Sequence, residues 1–125
     1  MSKALKVLGI ALLLTAAVSM MAADASYPAT GKVWNINLPS AMKVNGVLLP
    51  AGDYKVQHIV DGGNHVLVFK TRNDKEKVRA NCKLEKLPNK VDETIEVSDL
   101  NSAGERVLQS VAFKGDTFRH ELVNP

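Results

Sequence analysis

The chain has 125 residues with 16 basic and 13 acidic side chains, which gives a formal net charge of +3. This near balance does not indicate the dense basic surface by which proteins bind nucleic acid, and we expect no nucleic-acid partner. The only cysteine is Cys82, so an internal disulfide is excluded and stability must come from packing or from a partner.

The first 25 residues carry the three parts of a secretory signal peptide. Two lysines open the chain, residues 7–21 contain no charge, and Ala23-Asp24-Ala25 forms a small-x-small cleavage site. We predict cleavage after Ala25, which makes 1–25 a cleaved signal peptide and 26–125 a single mature β domain. An uncleaved membrane anchor is the alternative, but about 20 apolar residues are needed to span a bilayer comfortably. We therefore expect a periplasmic or secreted bacterial protein with no membrane span after cleavage.

Apolar and polar residues alternate with a period of two through most of the mature chain, and turn residues interrupt them about every ten positions. Such alternation is typical of strands with one buried face. The predicted strands are 32–38, 42–44, 47–49, 54–60, 65–70, 77–85, 91–97, 106–113 and 117–123. We expect an all-β fold, a small antiparallel meander of eight or nine short strands that forms a barrel or a sandwich.

Two turns define the predicted pairing. Asn45-Gly46 favours a tight type I′ hairpin, because both residues tolerate positive φ. Gly62-Gly63 predicts a second hairpin in which Val60 faces His65. That register places His58 and His65 on one face as diagonal neighbours.

The segment around the first hairpin carries a resemblance. Val44-Asn45-Gly46-Val47-Leu48-Leu49-Pro50-Ala51-Gly52-Asp53-Tyr54-Lys55-Val56 resembles the V-N-G…L-P-A-G-x-Y-x-V element of a group of uncharacterised small exported β-meander proteins of soil bacteria such as acidobacteria. Lys77-Val78-Arg79-Ala80 and Phe113-Lys114-Gly115-Asp116 are similar to later strands of that group. The resemblance implies an exported β domain. The group has no established activity, so the resemblance implies no site residue.

The histidines are the residues that invite a metal or acid–base hypothesis. If Phe69 pairs with Ala80 in the next hairpin, Cys82 becomes another neighbour of His65. A cluster of His58, His65 and Cys82 would offer imidazole and thiolate, which are ligands of zinc and copper. The favoured alternative makes both histidines half-buried and hydrogen-bonded to backbone, and makes Cys82 a buried small hydrophobic residue.

His120 lies between Phe118 and Leu122 on the last strand, where we expect a hydrogen-bonded histidine at the edge of the core. Nucleophilic catalysis needs a nucleophile, a base and an orienting group in contact. The serines lie in ordinary turn or strand contexts, and the sequence contains neither Gly-x-Ser-x-Gly nor a glycine-rich phosphate loop. We therefore expect no catalytic residues, no cofactor-binding residues and no cofactor.

The acidic residues and the aromatic residues have ordinary structural interpretations. On the strand 91–97 we expect Val91, Ile95 and Val97 to face the core. A light acidic cluster is interpreted as surface decoration rather than as a glycosidase carboxylate pair; it consists of Asp92, Glu93, Glu96 and Asp99. Trp34 and Tyr54 are large core residues in the favoured interpretation, and the alternative makes Trp34 the floor of a ligand cavity.

We expect a non-enzymatic β domain that binds either a small apolar ligand within the sheet or an envelope protein along an edge strand. One alternative is a metal-handling protein or an enzyme that uses His58, His65 and either Cys82 or His120. Convergence of these side chains in one concave pocket favours that alternative, and dispersal argues against it. A structural subunit that assembles by edge pairing is a third class.

Overall fold

Alternating apolar residues form nine β-strands in residues 31–125, which are the residues that the computed structural model describes. The strands are β1 (Val33–Leu38), β2 (Met42–Val44), β3 (Val47–Leu49), β4 (Gly52–Asp61), β5 (Asn64–Lys70), β6 (Glu76–Lys86), β7 (Ile95–Leu100), β8 (Arg106–Ala112) and β9 (Phe118–Leu122). The predicted all-β fold is confirmed. No helix within 31–125 is long and apolar enough to cross a membrane. The predicted signal peptide, 1–25, and its cleavage site lie outside the described residues.

Local turn chemistry explains the strand boundaries. The β2–β3 hairpin matches its prediction because Asn45 and Gly46 adopt φ values of 47° and 79°, as a type I′ turn requires. The predicted strand 91–97 begins later, at Ile95. Val91 is held in the preceding loop, where its N–H donates to the Asp116 carbonyl over 2.9 Å and its carbonyl accepts from Gly115 N over 2.8 Å.

The strands form one mostly antiparallel sheet that is open. Its order is β1-β4-β5-β6-β9-β8-β2-β3, and β7 pairs with β8. The predicted meander holds within β4–β6 and within β7–β9, where sequence neighbours pair. It departs where β1 pairs with β4, where β6 pairs with β9, and where the β2–β3 hairpin meets β8 through one parallel bridge between Lys43 and Val107. In this position the hairpin contributes Met42, Val44 and Leu49 to the common core.

The sheet curls around a single core on its inner face. Four strands separate β1 from β8, so a flat sheet would place them about 24 Å apart, at about 4.8 Å per strand. Trp34 on β1 nevertheless stacks on Phe113, the residue that follows β8, with ring centroids 4.1 Å apart. The inner face therefore folds back on itself, and side chains from β1 and from the end of β8 meet in one place.

The register of the β4–β5 hairpin agrees with its prediction, and that of the next hairpin does not. Gly62 and Gly63 both have positive φ, and Val60 pairs with His65. Between β5 and β6, however, Phe69 pairs with Val78 rather than Ala80. The cause is the loop from Thr71 to Lys75, which closes through its own backbone hydrogen bond of 2.8 Å and pairs Lys70 with Glu76; a bulge between Phe69 and Lys70 then shifts the register by one residue to the Phe69–Val78 pair.

The two faces of β7 are reversed relative to the prediction. Val91 is buried as expected, but Ile95 and Val97 are 56% and 45% exposed. Glu96, expected on a solvated face, pairs with the fully buried Val111 and therefore lies on the core side of the sheet. The register is decided by β8, because its apolar residues must face the core and β7 has to follow them.

Candidate functional site

The hairpin register brings His58 and His65 into contact on the inner face of β4 and β5. Their rings are nearly parallel, with centroids 5.2 Å apart, and His58 Nε2 lies 3.1 Å from His65 Nδ1. One of these nitrogens donates and the other accepts, so the hydrogen bond holds one proton between the two rings. His65 is half-buried as expected, whereas His58 is fully buried, deeper than the prediction placed it.

His120 joins the two histidines at the centre of the core. It is fully buried, and its ring centroid lies 5.7 Å from that of His58, 5.1 Å from Phe113 and 5.8 Å from Trp34. The expected position at the core edge was wrong, because the curl of the sheet brings β1 over β9. Its ring interacts with the backbone of Val111 as a hydrogen-bonding group, although within residues 31–125 neither ring nitrogen has a hydrogen-bond partner of normal geometry.

This environment favours the neutral form of His120. Burial removes the imidazolium from water, and the neighbouring His58 adds repulsion, so the pKa of His120 falls from 6.5 to about 4. The backbone of Val111 acts weakly in the opposite direction, and His65 adds a smaller lowering effect. His120 is therefore an uncharged aromatic residue of the core at neutral pH, and a poor proton donor there.

Cys82 lies directly opposite His65, closer than the predicted register implied. It is buried among core residues, which confirms its interpretation as a small hydrophobic side chain. Burial raises the pKa of its thiol to about 12. The thiolate, which is both the nucleophile and the metal ligand, is thus disfavoured in the folded protein.

The histidines converge, but they converge inside the core and not in a concave pocket. Within the described residues, no group of three or more His, Cys, Asp or Glu side chains is arranged to hold a metal ion. A zinc site needs three or four ligand atoms directed at one point about 2 Å away. The geometry of His58 and His65 supplies two nitrogens near each other, and the side chains around them are mainly aromatic and aliphatic.

The two conspicuous aromatic residues are part of the packed structure. Trp34 stacks on Phe113 and is 8% exposed, so it packs within the core rather than flooring an open cavity. The Tyr54 hydroxyl donates to the Pro50 carbonyl over 2.6 Å, and its ring is buried. This bond ties the strand to the turn that precedes it, which gives the Leu-Pro-Ala-Gly-x-Tyr element a structural role.

The sequence did not reveal the unusual position of Glu96 on β7, which is an edge strand of the sheet. Glu96 is half-buried on the core side of this edge strand, and burial raises the pKa of its carboxyl. Among the described residues it has neither a hydrogen-bond partner nor an ion-pair partner. The signal that could have revealed it is the strong apolar pattern of β8, since directly opposed residues share a face.

Comparison with protein-family models, with curated proteins and with solved structures finds no match for this chain. The resemblance to exported proteins of soil bacteria therefore stays a prediction, and function has to be argued from the residues themselves.

Proposed function

We propose that the protein is an exported, non-enzymatic binding module, periplasmic or secreted, that holds an extended segment of an envelope partner along β7. The observation that carries this proposal is an open sheet edge with apolar side chains on its outer face. Within the part of the chain that the structure describes, β7 pairs with β8 alone. Its other edge presents backbone N–H and C=O groups that an added strand can pair with.

The side chains of β7 suit this role better than those of the other two edges. Ile95, Val97 and Leu100 are each about half exposed, and exposed apolar groups gain when a partner covers them. The strand has six residues, long enough for several main-chain hydrogen bonds. In contrast, β3 also exposes Val47 and Leu48 but has only three residues, and the outward positions of β1 include two asparagines, Asn35 and Asn37.

The interior offers less support for a small apolar ligand. Large fully buried side chains, including Phe69, Phe113 and His120, occupy the inner face of the sheet. A hollow of about 530 Å³ over β1 and β4 is open to solvent. Asn37, Asp53 and Arg72 are among its lining residues, so its surface suits water better than an apolar molecule.

In vivo photocrosslinking tests the proposal. A photoreactive amino acid is placed at Val97 in the full chain, and a matched control carries it at Gln57, on a strand paired on both sides. We expect a discrete crosslinked partner from position 97 and none from position 57. Equal crosslinking at the two positions, or none at position 97, would contradict the proposal.

Metal handling by His58, His65 and Cys82 is the second candidate, and the 3.1 Å approach of the two ring nitrogens is the observation that favours it. Thermal unfolding with added zinc or copper separates the two candidates, because a ligand that binds only the folded state raises the melting temperature. A rise that is lost in His65→Ala would support a metal site. An unchanged melting temperature removes it.

A further inference from the structure

The β7 edge and the loop before it carry an excess of negative charge. Residues 91–100 contain four carboxylates and neither lysine nor arginine, although the whole chain is basic. The ion pairs within the described residues lie elsewhere, and they join Lys43 to Glu105, Lys55 to Asp74, Arg72 to Asp53, Arg79 to Glu76 and Arg119 to Glu85. Arg106 on β8 reaches β7, where its guanidinium donates to the Ser98 hydroxyl over 3.0 Å, but none of these ion pairs includes a carboxylate of residues 91–100.

Taking as given the proposed function, on which this inference rests, we propose that the partner of β7 is a basic extended strand. Its lysine or arginine would lie beside Glu96 on the core side, and its apolar residues would lie beside Ile95 and Val97 on the outer side. Alternation of basic and apolar residues follows from strand geometry, because successive side chains point to opposite faces.

Glu96 is the residue that selects a cation. Its carboxylate is half-buried opposite Val111, so it has lost part of its hydration without gaining a partner among residues 31–125. An opposite charge nearby restores the stability of the ionised form, and a charge-assisted hydrogen bond is shorter and stronger than a neutral one. A lysine or arginine from an added strand would supply both.

The Glu96 carboxylate also argues against a second copy of this chain as the strand that pairs with β7. Antiparallel pairing of β7 with its own copy would bring two acidic edges together, each with Glu96 and Asp99. Inward-pointing charge on an edge strand is a known device against self-association. On the outer face, Ile95 and Val97 pair with the small residues Ala112 and Ser110, so their side chains have little cover from β8. Bulky side chains on an added strand would supply that cover.

Two labelled ten-residue peptides test the inference by fluorescence anisotropy at low salt. One alternates lysine with valine, and the other replaces every lysine with glutamate. We expect the lysine peptide to bind and the glutamate peptide not to bind, although the net charge of +3 on the protein would favour the reverse by simple attraction. Glu96→Gln should weaken binding of the lysine peptide by about tenfold, the effect of one partly buried charge-assisted hydrogen bond. Asp61→Asn, an equal change of charge on the β4–β5 hairpin, should change it by less than about twofold.

Three outcomes overturn the inference: equal affinity for the two peptides, an unchanged affinity in Glu96→Gln, or concentration-dependent dimerisation in size-exclusion chromatography. The proposed function is tested separately, by crosslinking at Val97. If Val97 crosslinks to a partner in cells but the lysine peptide does not bind, only the basic character of the partner is refuted. If Val97 does not crosslink to a partner and the lysine peptide does not bind, both proposals are refuted.

Discussion

The buried imidazole of His120 predicts a loss of stability in mild acid. Its pKa is about 4 in the folded protein and 6.5 when it is unperturbed, so the unfolded chain binds more protons between these values. Stability therefore rises with pH across this window: it is fully present above pH 6.5 and lost as pH falls toward 4. One group with this shift destabilises the fold by about 2 kcal/mol between pH 7 and pH 5, and by about 3 kcal/mol at pH 4.

Urea unfolding at pH 7 and pH 5 measures this loss. The matched variant is His120→Phe, which keeps an aromatic ring beside Phe113 and removes the titrating group. We expect the difference in unfolding free energy between the two pH values to be smaller in the variant by about 2 kcal/mol. Glu76 and Glu105 have pKa values lowered by their ion pairs, so they act below the pH 5 limit of the comparison.

A variant with the same pH dependence as the unmodified protein would refute the reasoning. Each protein's unfolding free energy at pH 5 is compared with its own value at pH 7, so a general loss of stability in the variant does not affect the result. An NMR titration of the His120 ring in the unmodified protein gives an independent check, and a midpoint near 6.5 would contradict the assigned environment.

Three further predictions concern the turn, the thiol and the leader. Gly46→Ala should destabilise the protein by about 1–2 kcal/mol in urea unfolding, because the backbone φ at this position is 79°. The added Cβ would make only an ordinary 3.7 Å contact with Pro125, so the loss would come from the backbone and not from a clash. An unchanged unfolding midpoint would contradict this prediction. Cys82 should resist a thiol reagent at pH 8 in the native protein and react fully in denaturant, since its pKa is near 12; rapid native labelling would contradict its burial. Protein recovered from the periplasm or medium should begin at Ser26 by intact mass, and a retained leader would refute the predicted cleavage.

The parts of the fold that depend on neighbouring residues were predictable from the sequence. Asn45-Gly46 and Gly62-Gly63 define their hairpins through backbone preferences, and from the second of these the approach of His58 to His65 follows directly. These are local decisions, made within a few residues of the turn. The same reasoning gave most strand boundaries within one or two positions.

The parts that depend on distant residues were not predictable. The crossing of the β2–β3 hairpin to β8, the central position of His120 and the reversed faces of β7 each follow from how the sheet curls. In β7 both faces contain plausible core or surface residues, so periodicity alone could not decide between them. The candidate interaction edge was therefore hidden from sequence reasoning, although its acidic residues were visible.

Amide hydrogen exchange across β7 tests the central claim most directly. The mature protein is measured alone and with the lysine–valine peptide. Pairing of a strand with the open edge predicts slower exchange at alternate amides of Ile95–Leu100, those that point away from β8, while the amides of β1 and β3 keep their rates. Protection that appears along β1 or β3, or β7 amides that exchange equally fast with and without peptide, would contradict the account.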